Sequence, residues 1–200
     1  RCLKSINRKT KDFEVIVVDD GSNYNLKNFF FKFKKKININ FFKIKNSGRS
    51  KALFYGINKA KGKFSIILDD DDKFLKDGLD IILSSLKTKK NKFYVFGTLV
   101  KKNNLKVINS IPPDINGNFI SITADLGIKT DMKQTVDSKL LKKIIKKIKI
   151  KRFERVPTGL IWAKASQKLN CIFVNKPVVL KEYFEDGITH RINLTKFKSP

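Results

Sequence analysis

The sequence predicts an α/β fold, a mainly parallel sheet flanked by helices, and three observations carry that expectation. Phe13–Val18 is a β-rich run and Phe64–Leu68 an apolar run of strand length, close to the pattern of strands buried on both faces. Between them Ala52, Leu53, Gly56, Ile57 and Ala60 recur at helical spacing. Both apolar runs end in carboxylates, Asp19-Asp20 in the first and Asp69-Asp70-Asp71-Asp72 in the second. Strand, helix and strand in that order call for parallel pairing with right-handed crossovers. Sheets so built bind ligands beyond the carboxyl ends of their strands, which is where these acidic tips fall.

The other elements follow in chain order. Arg1–Ile6 reads as the tail of a helix, and the chain opens without an initiator methionine, as a fragment would. After the strand Phe13–Val18 comes a polar turn, Gly21–Asn25, then a short helix near Leu26–Phe33 and a strand over Ile37–Ile44. Asn46–Ser50 is a loop opening a helix through Lys61, and Gly62 is expected to stop it in the left-handed conformation. The apolar run ending in Asp69–Asp72 is expected to be the central strand. Leu75–Leu86 places Leu79, Ile82, Leu83 and Leu86 on one helix face, and Phe93–Val100 reads as a strand. Signals are mixed from Lys101 to Thr135, where Pro112-Pro113 and Asn116-Gly117 mark turns. Ser138–Lys149 is a helix with apolar residues on one side and lysines on the other. Pro157–Leu169 is a helix with proline near its start. Cys171–Val174 and Val178–Phe184 are short strands before a polar tail.

Composition narrows the function. Two hundred residues with 41% hydrophobic content suit one domain with a substantial core. The formal net charge of +26 suits a polyanion or an anionic membrane surface. Arginine occurs only at positions 1, 8, 49, 152, 155 and 191, so the excess is lysine. No arginine cluster with interleaved aromatics appears, which argues against a specific nucleic-acid reader. Cys2 and Cys171 are too few and too far apart for a disulfide framework or a zinc site, so a reducing compartment is the default. No apolar stretch approaches the roughly 20 residues of a membrane span, and no signal-peptide core is present. These features predict a cytoplasmic location, with peripheral contact at the inner face of the membrane. A basic amphipathic helix such as Ser138–Lys149 can lie on anionic lipid, although packing of its apolar side on the sheet is the preferred reading. Trp162 and the 17 phenylalanines are assigned to the core.

The acidic tips carry the chemistry. Of 18 acidic residues, Asp19, Asp20 and Asp69–Asp72 are gathered at the ends of two strands. Adjacent like charges repel, the more so where water is partly excluded, and a divalent cation relieves that repulsion because hard cations prefer carboxylate oxygen. A shared ligand site explains the concentration better than two solvated turns do.

These blocks carry a resemblance. Phe13–Ser22 resembles the nucleotide-binding strand of glycosyltransferase family 2. Asn46-Ser47-Gly48, Ala60–Phe64 and Leu68–Asp72 are similar to that family's next two blocks, in order, the last containing its Asp-x-Asp motif. Glu154–Pro157, Leu160–Trp162 and Tyr183–Thr189 resemble a bacterial polysaccharide and lipopolysaccharide branch. The resemblance implies a GT-A fold and an inverting transfer from a nucleotide-diphosphate sugar, most simply a UDP-sugar, to a glycan or lipid-linked acceptor. It also implies Mn2+ or Mg2+ held by Asp71, and cell-envelope polysaccharide biosynthesis as the setting. Donor binding is implied for Asp19, Asp20, Gly21, Ser22, Asn46, Gly48, Arg49, Lys51, Asp69 and Asp70, with Asp19 or Asp20 at the base or ribose and Asp69 at the ribose. Residues 1–100 become the donor half and 101–200 the acceptor half of a single domain.

Three departures qualify it. The family's opening strand, ending near Pro-x-Tyr-Asn, has no match. Leu53 stands where an arginine is common, leaving Arg49 or Lys51 to supply the cation. Thr158 stands where the branch carries glutamate after the proline, and threonine is no general base near neutral pH without activation. Glu154 and Asp186 are the catalytic candidates left, each with a plain alternative: a pair with Arg155, and the shaping of the turn before Gly187. His190, the only histidine, could reach a diphosphate or sit on the surface. Two rivals stand beside the enzyme: a catalytically degenerate binder of the same fold, and a basic polyanion-binding module.

Overall fold

The computed structural model describes residues 2–6, 12–102, 105–108, 115–128, 132–151 and 154–182. In chain order the elements are α1 (Cys2–Ser5), β1 (Val15–Asp19), α2 (Lys27–Lys34), β2 (Ile39–Lys43), α3 (Arg49–Lys59), β3 (Phe64–Ile66), β4 (Lys73–Phe74) and α4 (Gly78–Thr88). There follow β5 (Phe93–Lys102), β6 (Leu105–Ile108), β7 (Asn116–Gly117), α5 (Phe119–Asp125), β8 (Lys133–Asp137), α6 (Ser138–Lys146), α7 (Thr158–Ser166) and β9 (Cys171–Glu182). Tyr183–Thr189, with Asp186, and His190 lie outside the described residues.

The α/β class holds, and the strand directions are mixed. β1 and β2 pair in parallel, Val15 opposite Ile39 and Asp19 opposite Lys43. A second sheet runs β3-β8-β5-β9-β4, with β6 on β5 and β7 on β9. In it β5 and β9 are parallel, while β8 runs antiparallel to β3 and β5 and β4 antiparallel to β9. The insertion of β8 between β3 and β5 was hidden in the sequence by its polar composition. Lys133, Gln134 and Thr135 are all buried there. β3 ends at Ile66 and pairs only with β8 among the described strands, so it is an edge of this sheet and not its centre. The physical reason is that β8 takes the place beside β5; β3 itself stops at Ile66, and the Ile67 carbonyl accepts the Lys133 ammonium at 2.9 Å.

Two local expectations are corrected. Gly62 does not stop its helix in the left-handed region, which among the described glycines is occupied only by Gly21, Gly48 and Gly127. Instead α3 ends at Lys59 and the Glu14 carboxylate accepts the Lys61 and Gly62 amides at 2.6 and 2.9 Å. That contact ties the approach to β3 to the start of β1. The two short strands expected near the C-terminus are one, β9, with register shifts against β5 around Gly97, opposite Pro177. Proline lacks the N–H a ladder needs and is confined in sheets to edges, strand starts and bulges.

β5 explains the core. Phe93 and Val95 face one cluster, with Leu141, Ile161 and Trp162; Tyr94 and Phe96 face another, with Phe30, Ile82 and Val178. All four are fully buried, the period-2 arrangement of a strand covered on both faces. The apolar side of α6 is also inside, with Leu141, Ile144 and Ile145 buried. It packs on the core and is not available to a membrane. Among the described residues no helix is long and apolar enough to cross a membrane. Leu141→Ala is expected to lower the free energy of unfolding by about 2–5 kcal/mol, whereas Leu160→Ala, on the exposed side of α7, should change it by only about 0.5 kcal/mol. Urea denaturation checks both.

Candidate active site

The two acidic tips are joined through the loop that opens α3. Asp20 accepts two amides, Ser47 on Oδ1 and Gly48 on Oδ2, each at 2.8 Å. Gly48 has φ +93°, a backbone that glycine adopts without strain, and α3 begins at the next residue. Gly21 has φ +83°, and a Cβ there would lie 2.6 Å from the Asn46 nitrogen, so the turn after β1 must carry glycine to pack on this loop. From the first turn of α3, Arg49 donates to Asp69 Oδ1 at 2.6 Å. Arg49, not Lys51, makes this contact; Lys51 is half-buried on the same turn.

Asp19 is buried, and its Oδ1 accepts the Ser22 amide at 2.8 Å. Its Oδ2 has no hydrogen-bond partner, and the Lys43 ammonium stands 3.9 Å away. Burial pushes this carboxyl up, but the Ser22 hydrogen bonds and the Lys43 charge outweigh it and hold it below the usual carboxylate range. Lys43 also lines a groove of about 450 Å³ with Tyr24, Leu26, Lys27 and Phe41.

The four aspartates after β3 have three different environments. Asp69 is half-buried against Arg49. Burial acts to raise its pKa, but the Arg49 charge and hydrogen bond prevail and lower it. Asp70 and Asp71 are exposed; partial burial and the neighbouring Asp72 charge raise the Asp71 pKa. Asp72 turns inward, 2% exposed, and its Oδ2 accepts Lys133 Nζ at 3.4 Å and Lys181 Nζ at 3.2 Å. Lys133 is itself buried, and burial together with the Lys181 charge pushes its pKa down against the pull of Asp72 and Asp69.

A pocket of about 270 Å³ adjoins this arrangement, lined among others by Arg49, Asp69, Lys133, Lys181, Thr158 and Trp162. It draws on both halves of the chain. The start of α7 is held there because the buried Ser50 hydroxyl accepts the Val156 amide at 2.8 Å. Thr158 therefore faces the pocket. Glu154 is exposed, is not among the lining residues, and its carboxylate accepts the Lys151 amide of its own turn at 2.7 Å. Trp162 is core, as expected, and a pocket wall as well. Lys133 and Lys181 went unrecognised in the sequence, where nothing separates them from the other lysines.

Among the described residues no group of three or more His, Cys, Asp or Glu stands ready to hold a metal through protein ligands alone. Both cysteines are free. Burial pushes the Cys2 thiol up to about 11 and the Cys171 thiol up to about 12, so neither supplies a thiolate near neutral pH.

Comparison with known proteins bears on the fold and the family. Uncharacterized glycosyltransferases of Rickettsia conorii and Rickettsia felis are both 36% identical to this chain, over 105 and 96 residues. The matched stretches are 52% and 48% of this chain but only 17% and 16% of those proteins. The crystal structure of S. aureus TarS 1-349 in complex with UDP-GlcNAc has a TM-score of 0.75 at 18% identity, covering 93% of this chain and 55% of that one. The complex of the same protein with UDP has a TM-score of 0.72 at 16% identity, covering 98% and 60%. At that identity the likeness is one of fold, the GT-A fold. Residues 1–154 match glycosyl transferase family 2, over most of the strand-tip site just described, and the chain belongs to that family.

Proposed function

We propose that the chain is the donor-binding and catalytic part of an inverting glycosyltransferase. It would move a sugar from a nucleotide-diphosphate donor, most simply a UDP-sugar, to a glycan or lipid-linked acceptor in cell-envelope polysaccharide biosynthesis. The observation that carries the reading is the bridge from Asp20 through the Ser47 and Gly48 amides to Arg49 and Asp69, which ties the first acidic strand tip to the second, whose Asp69 lines the pocket with Arg49. The solved neighbours that hold UDP-GlcNAc and UDP support a nucleotide-sugar donor.

In this reading the nucleoside lies over Asp19–Ser22 and the Asn46–Gly48 loop. The unpartnered Oδ2 of buried Asp19 is an acceptor that a base or ribose donor group would satisfy. Asp69 faces the ribose, and Asp70 stands at its edge. Arg49, with Lys51 behind it, brings positive charge to the diphosphate. The residues present also fit a cation. Asp69 and Asp72 are taken up by Arg49 and the two lysines, which leaves exposed Asp71, flanked by Asp70, to hold Mn2+ or Mg2+. Both ions accept carboxylate, phosphate and water oxygens together. When bound, the ion stabilises the negative charge that develops on the leaving diphosphate.

The transfer itself is a single displacement. An acceptor hydroxyl attacks the anomeric carbon from the face opposite the leaving group, the bond to the diphosphate oxygen breaks, and a carboxylate takes the hydroxyl proton. Configuration inverts. The acceptor is read by the second half of the chain, where α5 and α7 supply Phe119, Thr158 and Trp162 to the pocket. Asp186, shortly after the pocket lysine Lys181 in sequence, is the proposed base, and Glu154, outside the pocket lining, is the alternative. The protein is placed at the cytoplasmic membrane face in peripheral contact with anionic lipid. A second reading, donor binding without turnover, is favoured by one observation: Thr158 lines the pocket where the resemblance expects a glutamate.

Asp71→Ala is expected to abolish the dependence of donor binding on Mn2+ and to lower turnover about a hundredfold or more, measured by calorimetry and a UDP-release assay. An unchanged metal dependence would remove Asp71 from the site. Asp186→Asn should reduce turnover by about 10²–10⁴ with donor affinity kept, and Glu154→Gln should have little effect. The opposite ranking would make Glu154 the base. Tight donor binding with no turnover in the unsubstituted protein would favour the second reading.

A further inference from the structure

The molecule leaves an unusual surface at α2. Of the large hydrophobic side chains that stand exposed, Tyr24, Phe29 and Phe31 fall within one short stretch, at 67%, 49% and 63% exposure. The helix has an inner face of its own: Phe30 is buried and stacked on Phe41 of β2 at 4.5 Å between ring centroids, with Leu26 and Phe33 packed beside it. Phe31 is therefore not the residue that anchors α2. At helical spacing it projects between Lys27, Lys34 and Lys35, while Phe29 sits beyond Lys32 and Lys36. All five lysines are exposed.

The charge around this helix is one-sided. No Asp or Glu occurs anywhere between Asp20 and Asp69, so α2, β2 and α3 contain no carboxylate after the first acidic tip. An exposed aromatic ring set in a lysine collar is poorly explained by solvation alone. It suits a surface that is anionic outside and apolar just beneath, because aromatic rings settle at the headgroup level of bilayers and each nearby lysine gains from anionic lipid.

We propose that α2, through Phe31, Phe29 and its flanking lysines, docks this protein on an anionic lipid bilayer. The inference names the element that makes the membrane contact and rests on the functional reading above only for its purpose. The groove lined by Tyr24, Lys27 and Lys43 adjoins this helix, and its Lys43 stands 3.9 Å from Asp19. Docking by α2 thus turns the donor site toward the membrane surface, where a lipid-linked acceptor presents its hydroxyl. α6, the other basic amphipathic helix, has its apolar side in the core.

The test is flotation of the whole chain with phosphatidylcholine vesicles, with and without phosphatidylglycerol, at several salt concentrations. Binding should require phosphatidylglycerol. Lys34→Gln and Lys35→Gln together should weaken it by about twenty-fivefold, taking about fivefold for each lysine. Phe31→Ser should weaken it severalfold and leave the salt dependence unchanged. Both variants alter exposed side chains, so thermal unfolding should match that of the parent. Equal binding to neutral vesicles, or anionic binding that Phe31→Ser leaves untouched, would overturn the proposal. So would binding to heparin that is equally sensitive to Phe31→Ser, which would make α2 a polyanion site. Vesicle binding without any UDP-sugar binding would keep the docking surface and discard the transferase reading; the converse would do the reverse.

Discussion

Four consecutive aspartates at the end of a short strand repel one another, and the fold is arranged around their separation. Asp69 is drawn to Arg49 on α3, Asp72 is turned inside to Lys133 and Lys181, and Asp70 and Asp71 are left in solvent. Breaking a buried ion pair by removing one partner typically costs about 3–5 kcal/mol, so Asp72 and its lysines hold three elements in register. They join the turn after β3 to the first residue of β8 and to the end of β9. The result is a tip with one face neutralised by the protein and the other still acidic. That asymmetry is what the proposed function uses, with an anionic donor on the neutralised face and a cation on the acidic one.

The second constraint is the turn after β1. Its close approach to Asn46 and the capture of two loop amides by Asp20 fix where α3 starts, and hence where Arg49 stands. A single chain of contacts then runs from one acidic tip to the other. Because Ser50 on the same helix accepts the Val156 amide, α7 is set by the same element. The pocket wall made by Thr158 and Trp162 thus depends on the same loop as Arg49 and Asp69. The first and second halves of the chain are joined through α3.

Much of this was legible beforehand, and the failures have particular causes. The apolar runs of β1 and β3, the periodicity of α3, α4 and α6, and the acidic tips are local signals, and each element formed close to its expected place. β8 was missed because Lys133, Gln134 and Thr135 do not read as a buried strand; Lys133 is buried there because the Ile67 carbonyl and the Asp72 carboxylate compensate its charge, while the Thr135 hydroxyl is buried without a hydrogen-bond partner. α5 fell in a stretch of mixed signals, although Asn118, whose side chain accepts the Ile120 and Ser121 amides, is a residue type favoured at helix starts. Glu154 attracted attention as the nearest surviving carboxylate in sequence, yet its side chain closes its own turn and Thr158 takes the pocket position.

The amino-acid sequence alone determined the α/β class, the two acidic strand ends and the family likeness, because these rest on composition and spacing within short stretches. Only the tertiary structure decided which charge meets which. Lys133 and Lys181 are 61 and 109 residues from Asp72 in the chain. In a sequence so rich in lysine no local pattern marks the two that a buried carboxylate will select. Which lysine is buried is decided by strand order and register, and those follow from packing the whole sheet at once.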